Sequence, residues 1–220
     1  MLFRSYKPAA PLCEFVEDFW LYQNYAGEHA RERILPSGTF EMVFNLNEDE
    51  LRIYGMHEQD ECRRYAGAVI SGPYARSFTS DAAEETSIMG VHFKPGGAFP
   101  VLGIPAGEFT DMHVDLAAVW GRAAAELRER LSRATKPAER FRLLEHSILR
   151  RLCGRPMRRS AAGRAVEILL AADCGYFDQS HLIRDFLEFS GVSPADFWQR
   201  QRQLDRAAAH VKRHHLPFAE

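Results

Sequence analysis

The chain has 220 residues, of which 46% are apolar and 26% are charged, and its formal net charge is −2. This composition excludes a low-complexity chain and is typical of a globular protein with one large or two small domains. The sequence has no run of about 18 apolar residues, so no membrane-spanning helix is expected. It also lacks the pattern of a signal peptide at its start, which predicts a cytoplasmic protein.

The positions of the charged residues and of the cysteines indicate which class of protein this is. Residues 1–120 carry 9 Lys/Arg and 18 Asp/Glu, a net charge of −9, whereas residues 121–220 carry 19 and 12, a net charge of +7. An acidic first half and a basic second half are typical of a sensor joined to a nucleic-acid binder. The cysteines are scattered and form no Cys-x-x-Cys pair, which indicates reduced thiols and no zinc site. They are Cys13, Cys62, Cys153 and Cys174.

The first half of the chain is predicted to be mainly β-structure. A short helical face comes first, from four apolar residues at helical spacing: Leu12, Phe15, Val16 and Phe19. Residues 40–46 then alternate between apolar and polar side chains, which predicts a half-buried strand. Residues 68–70 and 87–93 are further predicted strands, and Lys94-Pro-Gly-Gly97 is a predicted turn.

Helical spacing takes over near Ala98 and predicts an antiparallel hairpin of two helices. Asp115 caps the first helix, whose apolar stripe consists of Leu116, Val119/Trp120, Ala123, Leu127 and Leu131. Lys136-Pro137 begins the second helix, whose apolar face consists of Phe141, Leu144, Ile148 and Leu152. Because the first stripe is wide, we expect a homodimer that forms through this hairpin.

The stretch from Cys174 to Phe197 has the spacing of a helix-turn-helix. Asp178 stands where an N-cap belongs, and an apolar stripe follows it at intervals of four and three: Leu182, Phe186 and Phe189. Gly191 ends this helix, and Ser193-Pro194 begins the next one. Spacing alone favours an ordinary helical hairpin, so the side-chain identities decide the interpretation.

Those side chains resemble the second helix-turn-helix of AraC-type transcription regulators. The matching pattern is Gly175-Tyr-x-Asp178-Gln-Ser-His181-x-x-Arg184-x-Phe186, followed by Gly191-x-Ser193-Pro194-x-x-Phe197. The resemblance implies DNA binding, with residues 178–189 as the recognition helix. It places Gln179, Ser180 and Arg184 at base-contacting positions, where Arg can grip a guanine edge and Gln an adenine edge. Candidates for contacts to the DNA backbone are Arg158, Arg159 and Arg164.

Residues 1–150 resemble, more loosely, the sensor domains of one AraC-type subgroup. The matching segments include Arg4-x-Tyr-x-Pro8, Phe19-Trp20, Arg33-Ile-Leu-Pro36 and Phe93-Lys-Pro-Gly-Gly97. The resemblance implies a small β-barrel or sandwich of cupin-like character. The predicted fold class is therefore α+β. We expect a ligand-sensing domain at 1–112, a helical linker and dimerisation hairpin at 113–154, and a shortened all-α helix-turn-helix region at 155–220.

The chain departs from this family in two ways. An AraC-type DNA-binding domain of about seven helices needs on the order of 100 residues, whereas residues 150–220 provide 71. The first helix-turn-helix is therefore expected to be missing, and Leu187 stands where a lysine or arginine is common. We expect DNA binding to be weak for each protomer. The alternative is a ligand-binding regulator that lacks DNA binding and pairs with full-length relatives.

A small cupin-type enzyme is the remaining alternative. Cupin barrels often hold a metal through histidines, but His29, His57, His92 and His113 are scattered and no His-x-His occurs. The sequence also lacks a Gly-x-Ser-x-Gly elbow and a Gly-x-Gly-x-x-Gly loop. We therefore predict no catalytic residue, no metal and no cofactor. The expected partner of the first half is a small organic molecule among aromatic side chains, and the sequence does not identify the residues that line its site.

Overall fold

The computed structural model describes residues 2–25, 31–55, 62–81, 86–152 and 215–217. The fold is α+β with antiparallel sheets, as predicted. The strands are β1 (Leu2–Tyr6), β2 (Val16–Tyr25), β3 (Arg31–Ile34), β4 (Glu41–Asn45), β5 (Glu50–Tyr54), β6 (Cys62–Ala66), β7 (Ala68–Ser71), β8 (Phe78–Asp81), β9 (Thr86–Phe93), β10 (His113–Asp115) and β11 (His215–Pro217). The helices are α1 (Phe99–Leu102), α2 (Leu116–Trp120), α3 (Arg122–Arg133) and α4 (Pro137–Leu152).

The described strands form two sheets. The large sheet has the strand order β1-β2-β9-β4-β7-β10, and the small sheet has the order β11-β3-β8-β5-β6. The segment at 215–217 thus returns to the first half of the chain, where His215 pairs with Ile34 and Pro217 with Glu32. Among the described helices, none is long and apolar enough to cross a membrane.

The main hydrophobic core lies between one face of the large sheet and the helices. Alternate strand residues point to this face, among them Phe19, Met42 and Val91, and each is fully buried. The helices contribute a matching set of buried side chains: Leu116, Trp120, Leu127, Leu131, Phe141, Leu144, Ile148 and Leu152. The opposite face of the large sheet is turned toward the small sheet.

The helical face predicted at residues 12–19 is wrong. A short 3-10 turn at Leu12–Glu14 is followed directly by β2. In this strand Phe19 and Leu21 enter the core, while Trp20 and Tyr22 are also buried on the opposite face. A strand buried on both faces loses its period-two pattern, and its apolar run can then match helical spacing by coincidence.

The predicted helical hairpin is present, with one break. The chain bends at Gly121, whose φ of 59° suits a residue without a Cβ. Leu127 and Leu131 of the predicted stripe are buried, whereas Ala124 is buried in place of the predicted Ala123. The apolar stripe is covered by the large sheet within the same chain, so the reason given for dimerisation through it is wrong. The homodimer itself and the domain boundaries stay predictions.

A buried arginine ties the hairpin together. Arg140 on α4 donates from Nε to the carbonyl oxygens of Leu131 (3.1 Å) and Ala134 (2.9 Å) at the end of α3. Its Nη1 donates to the hydroxyl of Ser87 at 3.2 Å, which links the hairpin to β9. Burial lowers the pKa of Arg140. The guanidinium thus satisfies carbonyl groups that the end of a helix leaves without intrahelical partners.

Candidate functional site

Polar side chains cross the large sheet in a row, on the face opposite the main core. Directly paired residues of antiparallel strands point to the same side of a sheet. The register pairs His92 with Asp18 and with Glu41, and it pairs Ser71 with Glu41 and with His113. We call the resulting set the polar row: Asp18, His92, Glu41, Ser71 and His113.

His92 forms the centre of the polar row. Its Nδ1 lies 2.7 Å from Oδ1 of Asp18, and its Nε2 lies 3.0 Å from Oε1 of Glu41. Burial lowers the pKa of His92, but the charge of Glu41 and the hydrogen bonds with both carboxylates outweigh burial and raise it to about 10. The ring is therefore an imidazolium at neutral pH; its Nδ1–H donates to Asp18, and its Nε2 side forms an ion pair with Glu41.

His113, at the end of the polar row, has the opposite character. Burial lowers its pKa to about 3, so its ring is neutral at physiological pH. The hydroxyl of Tyr74 forms a hydrogen bond with its Nδ1. Phe78 meets the ring edge-on, with ring centroids 4.5 Å apart. One strand register thus brings together a charged histidine and a neutral one.

Trp20 lies beside the polar row, where its indole covers Gly90. A Cβ at position 90 would stand 2.5 Å from Cζ2 of Trp20, so the glycine permits this close approach. The indole N–H is buried and has no acceptor among the described residues. A buried donor without an acceptor costs about 1–3 kcal/mol, so this face of the sheet lacks one polar partner.

A small cleft with an interior of about 20 Å³ lies where the two sheets meet. The large sheet contributes Glu41, Ser71 and His92 to its wall, and the small sheet contributes Ile34 and Phe78. The interior has room for about one water-sized group. The cleft is therefore lined by both polar and apolar side chains.

The polar row does not have the geometry of a metal centre. Both ring nitrogens of His92 already face carboxylates, whereas a ligating histidine gives one nitrogen to the metal. In the part of the chain that the structure describes, no group of three or more His, Cys, Asp or Glu side chains is placed to hold a metal ion.

The sequence model of one protein family matches the part of the chain that contains this site. The sequence model of a domain of unknown function, DUF6597, matches residues 4–115. The chain belongs to the DUF6597 family. The matched region runs from β1 to the end of β10 and so contains the whole polar row and the cleft. The family's description states no activity.

Solved structures provide more distant likenesses to this DUF6597 chain. Apo ToxT from Vibrio cholerae, a variant with one substitution, is 9% identical with a TM-score of 0.42, over 88% of this chain and 84% of that chain. The AraC-like transcriptional activator CuxR is 12% identical with a TM-score of 0.26, over 94% and 87%. At these TM-scores neither likeness carries an argument. No curated protein matches the sequence.

Some of the residues singled out in the sequence lie outside the described residues, and others lie within them. Gln179, Ser180 and Arg184 lie outside the described residues, and their role in DNA binding stays a prediction. The aromatic residues of the first half, most of which the sequence predicts to be core, occupy both sheets. Those packed in the main core are Phe40, Phe44 and Phe93, those on the opposite face of the large sheet are Trp20 and Tyr22, and Tyr54 lies on β5 of the small sheet.

The polar row of the DUF6597 domain was missed in the sequence because its members are far apart along the chain. His92 stands isolated in the sequence, since its partners on β2 and β4 are known only once strand register is known. A weaker signal is present in β9. His92 interrupts the apolar run from Ile88 to Phe93, and a polar residue in such a position needs a partner.

Proposed function

We propose that this DUF6597 chain is an AraC-like transcription regulator that senses a small organic molecule, and that it is not an enzyme. The observation that carries this proposal is the ordered pattern from Gly175 to Phe197, in which side-chain identity and spacing agree at 12 positions within a span of 23 residues. The cleft between the sheets supports the sensing role, because it offers polar groups and apolar wall together.

In this proposal the two-sheet region is a cupin-like sensing domain in the cytoplasm, and α3 and α4 lead to a shortened helix-turn-helix. Gln179, Ser180 and Arg184 contact base edges in the major groove. One helix-turn-helix neutralises few phosphates, so binding is weak and sensitive to salt. A homodimer presents two such units, and its interface uses a surface other than the covered stripe of α2 and α3.

The test is a titration of labelled promoter DNA at low and moderate salt with wild type and Arg184→Ala. We expect the variant to lose sequence preference, because a bidentate contact to one base discriminates by roughly 1–3 kcal/mol. Arg122→Ala is the matched control, since Arg122 is 91% exposed on α3 and, among the described residues, its ion pair is with Glu126 on the same helix. If wild type does not bind DNA even at low salt, DNA binding is excluded and pairing with full-length relatives becomes the better interpretation.

A further inference from the structure

We propose that the cleft is a closed ligand site, that it opens when the small sheet turns away from the large sheet about the edge at β6, and that Phe78 holds it closed. This inference rests on the proposed sensing function and names the movement that admits the ligand. It is carried by the size of the cleft, by the short links between the sheets at β6, and by the sparse attachment of the strands at the other end of the small sheet.

The size of the cleft makes a movement necessary. Its interior of about 20 Å³ has room for about one water-sized group, whereas even a small organic molecule is several times larger. Its wall on the large sheet is fixed, because Glu41 and His92 lie on β4 and β9 in the middle of that sheet. The other face of these two strands carries Met42 and Val91, which are fully buried in the main core. The wall that can move is therefore the one on the small sheet.

The two sheets are joined most tightly at the edge where the small sheet ends in β6. Gly67 alone connects β6 to β7 of the large sheet. Its carbonyl oxygen accepts a hydrogen bond of 2.8 Å from the backbone N–H of Asn45 at the end of β4. The backbone N–H of Ala66 donates to Oδ1 of Asp115 on β10 at 2.6 Å. This edge therefore holds the sheets at a fixed separation and acts as the axis of the movement.

The opposite end of the small sheet has longer links and fewer pairings. Residues 35–40 connect β3 to β4, and residues 72–77 connect β7 to β8, and such links allow a displacement that a single residue does not. The strand β8 pairs with β5 at two residues of each strand, and β3 lies beyond it, between β8 and the short β11. Ile34 on β3 and Phe78 on β8 pair with each other and line the cleft. A turn about the β6 edge therefore moves both side chains away from the polar row.

Phe78 provides the contact between the sheets at this end. Its ring meets the ring of His113 edge-on, with centroids 4.5 Å apart, and its centroid lies 4.7 Å from that of Tyr74. Tyr74 is itself fixed to the large sheet, because its hydroxyl forms a hydrogen bond with Nδ1 of His113 on β10. Phe78 is half-buried, so these ring contacts lie near the surface and outside the main core. They can break when the cleft opens, while the main core stays intact.

The first test measures whether the cleft opens while the rest of the protein stays folded. Ile34→Cys places a thiol in the wall of the cleft, and Ile148→Cys, the matched control, places one in the main core, where Ile148 is fully buried. N-ethylmaleimide is added to the full chain at neutral pH, and peptide mass spectrometry follows each cysteine separately. We expect the thiol at position 34 to react at least about 100-fold faster than the thiol at position 148, because local opening has a lower free energy than global unfolding.

Urea identifies the kind of opening. Low concentrations of urea should leave the rate at position 34 nearly unchanged, because a turn of one sheet exposes little surface, and should increase the rate at position 148, which requires global unfolding. Equal rates at the two positions, or the same dependence on urea, overturn the proposal. If Ile34→Cys does not fold, hydrogen exchange of the wild type decides, and exchange at β3 as slow as exchange at β4 is the contrary result.

The second test weakens the contact that closes the cleft. Phe78→Leu keeps an apolar side chain but removes the ring, so in the Ile34→Cys background it should increase the reaction rate at position 34 about tenfold. Phe99→Leu in the same background is the matched control, since Phe99 lies on α1 and is 51% exposed. Equal rates in the two double variants overturn the assignment of Phe78 as the closing contact.

DNA binding separates this inference from the function on which it rests. A maleimide group at position 34 occupies the cleft, so labelled Ile34→Cys is titrated with promoter DNA beside wild type that has been treated with the same reagent and is labelled at native cysteines alone. A difference in DNA affinity supports control through the cleft. If position 34 reacts only on unfolding while wild type binds DNA, the opening is overturned and the regulatory function stands. If position 34 reacts in the folded protein and the two labelled proteins bind DNA equally or not at all, the opening stands and the sensing function is overturned.

Discussion

At the scale of single residues, His92 and His113 give the protein opposite responses to pH. The pKa of His92 rises from an ordinary 6.5 to about 10, so its stabilisation is complete below pH 6.5 and is lost as pH rises through about 10. The pKa of His113 falls to about 3, so the unfolded state takes up a proton first as pH drops below 6.5. Both effects place the greatest stability near pH 6.5.

We therefore expect the free energy of unfolding to decrease on both sides of that pH, and each decrease to depend on one histidine. Urea denaturation from pH 5 to pH 10 measures it. His92→Gln should flatten the alkaline side alone, and His113→Phe should reduce the slope of the acid side, to which carboxylates also contribute. Parallel curves for wild type and His92→Gln between pH 6.5 and pH 10 would contradict the assignment of charge to His92.

At the scale of elements, the hairpin of α3 and α4 depends on one guanidinium. Arg140→Met keeps a long side chain but removes the donors to the end of α3, which leaves buried carbonyl groups without partners. We expect a loss of about 1–3 kcal/mol in the free energy of unfolding, or roughly 2–4 °C in Tm for each kcal/mol. Thermal denaturation followed by circular dichroism measures this.

Arg142→Met is the matched control for that prediction. Arg142 is exposed, and within the described part of the chain its side chain donates only to the carbonyl of Ala138 on its own helix, so the change should stay within about 0.5 kcal/mol. Similar effects of the two substitutions would show that the contacts of Arg140 make no net contribution to stability.

The elements also show how far the sequence alone could predict this fold. The strands at 41–45 and 86–93 and the start of α4 were predicted well, because alternation and a Lys-Pro helix start are local signals. The start of β2, up to Phe19, was predicted as a helical face because burial on both faces removes alternation, whereas a strand-like run was predicted from Trp20 onward. The strand β11 was not predicted, since three residues give no periodicity and its partner β3 lies more than 180 residues earlier. Contacts between distant segments, including the polar row, therefore required the structure.

At the scale of the whole molecule, β11 joins residues 215–217 to the strands of the first half of the chain. We expect removal of residues 215–220 to increase amide hydrogen exchange at β3, whose backbone pairs with β11 on one side and β8 on the other. Exchange at β4 in the large sheet should stay unchanged and serves as the internal control. Unchanged protection of β3 after the deletion would contradict the pairing.

The pairing of β11 gives residues 153–214 two attachment points in place of one. The chain leaves the two-sheet region at the end of α4 and pairs with it again at β3. Ile34 both lines the cleft and pairs with His215, so the cleft and this second attachment point share one strand. Separation of β11 from β3 would leave the segment attached at α4 alone and would release the entropy that loop closure costs.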